Sequence, residues 1–149
     1  MVKPADRPPP KPHNGAAQLT PSDYQALATF RHALRKFIAF SESEAAQAGL
    51  MPQQHQALLA IKAMSAVDSP SVGELADYLM IRPHSAVELV GRLARMGLVE
   101  RLRDPGDRRR VRVSLSPLAE CKLENLSSAH LKELGAIRPL MGRLFGRFE

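Results

Sequence analysis

A mainly α-helical fold carrying one small β-hairpin, of the α+β class, is what the sequence predicts, and three observations predict it. Apolar residues recur at helical spacing through five stretches of the 149-residue chain. One short segment, "RVRVSL", alternates apolar and polar residues as a half-buried strand does. Between it and the strand-like "LVERLR" lies "DPGDRR", where Pro-Gly and two aspartates mark a turn. The length suits a single domain with a sizeable core.

The first helix begins at the capping residues Thr20, Ser22 and Asp23. Its apolar face is Tyr24, Leu27, Phe30, Leu34 and Phe37/Ile38, and Gly49 ends it. The second opens with Pro52 in its first turn and buries Ala57, Leu58, Ile61 and Met64. The third has Ser71 as N-cap with Glu74 three residues on, a capping box, and its buried face is Leu75, Ala76 and Leu79. A break at Ile81–Arg82 precedes Pro83 and the fourth helix, "PHSAVELVGRLARM". That helix has Ala86, Leu89/Val90, Leu93 and Met96 on one face, with Ser85, Glu88, Arg92 and Arg95 opposite. Gly97 stops it.

The hairpin follows, with Arg108, Arg109 and Arg110 at its tip. Ser116 and Pro117 then cap a C-terminal helical region. Its apolar residues, Leu123, Leu126, Leu131, Leu134, Ile137, Met141, Leu144/Phe145 and Phe148, keep a 3–4 spacing across Gly135 and Pro139. Two arrangements fit, one long kinked helix or two helices broken near Gly135. A small domain need not bury so long a stripe, so this region and the first helix are expected to form a dimer interface.

Charge is unevenly placed. The net charge is +6 and the pI near 10.0. Residues 82–112 hold nine arginines against Glu88, Glu100, Asp104 and Asp107, which makes +5 in that segment alone. Arginine's planar fork suits phosphates and guanine edges. Two short helices joined by a tight turn, followed at once by an Arg-tipped hairpin, make the winged helix-turn-helix layout. Residues 1–19 hold five prolines and read as a disordered, basic tail; the readings weighed are an inert tail and an arm touching DNA backbone.

Several classes are disfavoured. The single Cys121 rules out an intramolecular disulfide. No apolar run approaches the roughly 20 residues of a membrane span, and the Pro-rich N-terminus is no signal peptide, so a cytoplasmic, membrane-free protein is expected. His32, His55 and His130 stand apart in sequence, with no metal-ligand spacing, and no metal or cofactor is expected. No phosphate loop or nucleophile–base motif is present, so an enzyme is not expected.

The stretch "SVGELADYL…RPHSAVELVGRLARMGLVERLRDPGDRRRVRVSLS" resembles the MarR family of winged-helix transcriptional regulators. The match is strong over roughly residues 53–120, through "LVGRL", "GLVER", "DPGDRR" and "VSLS". The resemblance implies one domain over residues 20–149, with dimerisation helices at 20–50 and 117–149 and a DNA-binding lobe at 52–116. It implies a homodimer on a pseudo-palindromic double-stranded site, most often a repressor, with relief by a small-molecule effector as a family option. Groove-facing positions carried over are Arg82, His84, Ser85, Val87 and Glu88, with Arg92 beside them. Wing positions are Asp107, Arg108, Arg109 and Arg110, with Asp104 and Asp107 ordering the turn. Glu88 is balanced between accepting from a cytosine amino group and pairing with Arg92 at i, i+4. Candidate effector-pocket residues are Phe30, Arg31, His32, Leu34, Phe37, Leu58 and Ile61; the alternative is that they are core. Cys121 is a redox-sensor candidate weighed against an inert, partly buried thiol.

The chain departs from the family at Gly91 and Ala119, in a somewhat short C-terminal region, and at Pro139, which puts the family's usual two-helix ending in question. Asp is common where this chain has Gly91, and that carboxylate braces a wing arginine; Gly is common near Ala119. Two other functions fit the same charges: a winged-helix module for an acidic protein partner, and a non-specific chromosome-associated protein.

Overall fold

The computed structural model of the chain describes residues 19–146. The Pro-rich segment 1–18 and Phe148 lie outside the described residues. The elements are α1 (Pro21–Gln47), α2 (Pro52–Met64), α3 (Val72–Leu79), α4 (Pro83–Arg95), β1 (Val99–Arg103), β2 (Val111–Leu115) and α5 (Pro117–Phe145). Among the described residues no helix is long and apolar enough to cross a membrane.

The helix starts follow from local chemistry. At α1, the Thr20 hydroxyl accepts from the Asp23 N–H, while the Asp23 carboxylate accepts from the Thr20 N–H at 2.7 Å. At α3, Ser71 and Glu74 make the same reciprocal pair, at 3.1 and 2.7 Å. Each box satisfies two N–H groups that the helix itself leaves orphaned. Gly97, at φ +71°, lets the chain reverse after α4 and enter β1.

Met80 departs from the expected helix. It leaves α3 as a left-handed C-cap at φ 54°, 92% exposed, so the turn between α3 and α4 is Met80–Ile81–Arg82. The Ile81 N–H then closes onto the Ala76 carbonyl at 3.0 Å.

The two strands pair antiparallel, from Val99 opposite Leu115 to Arg103 opposite Val111. That register turns Val99 and Val113 into the core. The largest fully buried side chains, Leu58, Ile61, Leu75, Val90, Leu93, Leu98 and Val113, all come from the lobe between α2 and β2. Ala45 of α1 and Ala119, Leu123 and Leu126 of α5 complete this cluster at the lobe end of each long helix.

α5 is one helix of 29 residues, running unbroken through Gly135 and Pro139. Pro139 cannot donate to the Gly135 carbonyl. Both residues are exposed, so water can meet that carbonyl and the helix continues. α1 and α5 run antiparallel. The Phe30 and Phe145 rings meet edge-on at 6.2 Å, and Phe37 and Phe40 both pack on His130, at 5.8 and 5.4 Å.

Two joints tie the helix pair to the lobe. The buried Ser116 hydroxyl donates to the Gly97 carbonyl at 2.6 Å and accepts from the Ala119 N–H at 3.2 Å. At the second joint, His130 of α5 bonds the Leu126 carbonyl through Nδ1 (2.6 Å) and the Ser41 hydroxyl through Nε2 (2.8 Å). The His55 ring of α2 lies 4.9 Å from it, centroid to centroid. His55 is 2% exposed, and its Nδ1 has no hydrogen-bond partner among the described residues. Burial, and then the proximity of His130, hold the His55 pKa below its ordinary value.

Candidate nucleic-acid interface

α3 and α4 pack as a helix-turn-helix, and the hairpin stands beside α4. The sequence places Arg82, His84, Ser85, Val87, Glu88 and Arg92 on the outer side of α4. The structure leaves Arg82, His84, Val87, Glu88 and Arg92 exposed and Ser85 half-buried. Ala86, Leu89, Val90 and Leu93 face the core. The N-cap Arg82 makes no side-chain cap, so the N-terminus of α4, the positive end of its dipole, is left without a side-chain acceptor. Such an end favours anionic oxygens. Glu88 and Arg92 form no ion pair among the described residues, which leaves the Glu88 carboxylate unpaired on this face.

The wing loop is held from within. Asp104, 9% exposed, accepts from the Gly106 N–H at 2.8 Å and from Arg112 Nε at 2.8 Å. These bonds, the backbone N–H first and the guanidinium second, hold its carboxyl below the ordinary aspartate value. Asp107 Oδ1 accepts from the Arg109 N–H at 2.9 Å. The Asp104 N–H donates to the Arg110 carbonyl at 3.1 Å and closes the loop.

The arginines of the segment divide into two groups. Arg110 turns back onto α3, where its Nη2 meets Glu74 Oε1 at 3.1 Å and Ser71 Oγ at 3.3 Å. Arg110 is thus engaged with α3, whereas Arg108 and Arg109 have no such partner among the described residues. Arg112, in the polar half of the strand alternation, is half-buried and bonded to Asp104, Asp68 and the Ser69 carbonyl. With those two of the nine arginines paired, seven remain exposed without an ion pair among the described residues: Arg82, Arg92, Arg95, Arg101, Arg103, Arg108 and Arg109. An open cleft of about 550 Å³ between α3, α4 and the wing is lined by Glu74, Val87, Arg101, Arg109 and Arg110, among others. Sequence reasoning missed the bracing roles of Arg112, Asp68 and Glu74. No local pattern announces them, since Asp68 lies 44 residues from Arg112.

The candidate effector residues do not converge within the chain. Leu58 and Ile61 are fully buried core. Phe30 lines a small apolar recess with Ala26, Leu27, Leu144 and Phe145. Phe37 covers His130, and Arg31, His32 and Leu34 are exposed. Cys121 is exposed on α5, not partly buried. No group of three or more metal-ligating side chains occurs among the described residues.

A helix-turn-helix joined to an arginine-tipped hairpin and framed by two long helices is a winged helix-turn-helix fold. Residues 48–110 match the model of the MarR family. The fold of the chain is also that of MarR-family regulators. It is similar to a MarR family protein from Bacillus stearothermophilus (TM-score 0.71, 21% identity, covering 81% of this chain and 82% of that one). It is similar to AbsC from Streptomyces coelicolor, a MarR family transcriptional regulator (TM-score 0.65, 18% identity, 88% and 99%). It is also similar to MepR of S. aureus, solved as a DNA complex (TM-score 0.65, 20% identity, 83% and 85%). Comparison with curated proteins finds no match.

Proposed function

We propose that the chain is a sequence-specific double-stranded-DNA-binding transcriptional regulator that acts as a homodimer on a pseudo-palindromic site, as a repressor. The observation that carries this reading is the set of seven unpaired arginines gathered on α4 and the wing. α4 would lie in the major groove, with His84, Val87 and Glu88 at base edges and Arg92 at backbone. Arg108 and Arg109 would enter the neighbouring minor groove, whose narrow regions concentrate negative potential. The exposed apolar residues of α1 and α5 support the dimer. A small-molecule effector, in this reading, binds a site completed by the second subunit and acts by favouring one spacing of the two lobes.

The test is titration of the purified protein against the promoter region beside its own gene, at several salt concentrations and with unrelated duplex as competitor. Site preference of roughly 10³-fold or more with a steep salt dependence is expected. Binding that unrelated duplex abolishes means a non-specific chromosomal protein. No duplex binding, with capture of an acidic protein partner instead, means an interaction module.

A further inference from the structure

The wing must be aimed relative to α4 for both to meet one duplex. Among the described residues, no side chain of α4 hydrogen-bonds or ion-pairs with the wing, and Gly91 offers none. The wing is tied instead to α3 and the segment before it. Arg112 reaches three acceptors from three places: Asp104 at the wing's root (2.8 Å), the Ser69 carbonyl (2.8 Å) and the Asp68 carboxylate. The side chains of Arg112 and Asp104 are 23% and 9% exposed, so water competes little for this contact. Backbone runs alongside it. The Val113 N–H donates to the Pro70 carbonyl at 2.9 Å, and Ser71 and Arg112 form an antiparallel bridge. Higher up the wing, Arg110 binds Glu74 and Ser71. Those two side chains also close the N-terminal capping box of α3. The residues that start α3 therefore hold the wing as well. Since α3 packs on α4, a wing fixed to α3 is fixed relative to α4.

We propose that Arg112, seconded by Arg110, is a positioning residue that clamps the wing to α3 and presents Arg108 and Arg109 to DNA already ordered. This rests on the DNA-binding reading above for its function, but not for its geometry. A wing ordered in advance spares binding the entropy of ordering it.

The experiment compares the full chain with Arg112→Leu, which keeps an apolar side chain in a half-buried strand position, and with Asp68→Asn. Asp68 is exposed, so its variant leaves the core untouched. Two readouts are taken. Amide hydrogen exchange of residues 104–110 without DNA should quicken about tenfold in Arg112→Leu and less in Asp68→Asn, while α2 stays protected. Duplex affinity should fall about tenfold in Arg112→Leu, and this loss should vanish in an Arg108→Ala/Arg109→Ala background. Unchanged exchange in both variants overturns the clamp. An affinity loss that persists without Arg108 and Arg109 overturns the positioning role, since Arg112 would then act on DNA directly. If Arg112→Leu does not fold, Asp68→Asn decides by the same two measurements. If the wild-type chain binds no duplex, the DNA-binding reading fails while the exchange result still decides the clamp.

Discussion

The winged lobe and the pair of long helices handle their apolar residues in opposite ways. In the lobe the large side chains go inside: Leu58, Ile61, Leu75 and Leu93 are all 0% exposed. In α1 the buried residues are small, Ala26, Ala33, Ser41 and Ala45, while Tyr24, Leu27, Leu34 and Ile38 stand 42–59% exposed. On α5, Leu131, Leu134 and Phe145 are 69%, 47% and 56% exposed. The small residues let α1 approach α5 closely, and the large ones are left for another surface. The lobe finishes its core within the chain; the helix pair leaves its large apolar residues exposed. An exposed apolar stripe of this size marks an interaction surface, and a second copy of the chain is the occupant proposed above.

The largest expected effect sharpens this contrast. Leu131→Lys/Leu134→Lys removes two leucines, each worth about 1.5–3 kcal/mol when fully buried. Sedimentation velocity should show the dimer dissociation constant raised by at least about a hundredfold, with the lobe still folded. An unchanged mass at micromolar concentration would break the comparison, because the stripe would then cover nothing. In the lobe, Leu93→Ala should lower unfolding free energy by about 2–5 kcal/mol in urea titration, independent of protein concentration. A loss that grows on dilution would mean that the lobe core, too, depends on the partner.

Smaller effects probe the joints between the two regions. Ser116→Ala removes both the α5 cap and the bond to Gly97, at an expected cost of about 1–2 kcal/mol. A neutral result would mean that β2 and α5 are positioned by packing alone. The smallest effect is set by pH at His55. Its folded-state pKa lies below the unfolded 6.5. Above 6.5 both states are neutral there and the stability is fully present. As pH falls from 6.5 toward the folded value, the unfolded chain takes up a proton that the native chain refuses, and stability drops. Denaturation at pH 7.5 and 5.5 should show that drop, and His55→Gln should reduce it. An equal drop in the variant would assign it to other groups.

Much of the candidate interface was legible in the sequence. The helix-turn-helix, the Arg-rich turn and the outer face of α4 are all marked by residues within a few positions of one another. The division of the arginines was not legible. "DRRRVR" reads as one charged run, yet two of its arginines are bound to acids and two are free. The approach of His55 to His130 was equally hidden, because each histidine is isolated along the chain.

What the sequence by itself determined, then, is everything satisfied over a few residues: the Thr20–Asp23 and Ser71–Glu74 capping boxes, the Ser116 cap, the prolines at four helix starts, and the glycines at 49 and 97 where φ turns positive. Their bonding partners lie within about one helical turn, so local chemistry settles them before any packing occurs. Tertiary structure decided which arginines are engaged, which face of α1 meets α5, and how the histidines meet. The reach involved explains why: Arg110 finds Glu74 across 36 residues and Arg112 finds Asp68 across 44, contacts that exist only after the lobe has closed its core and brought α3 against the wing.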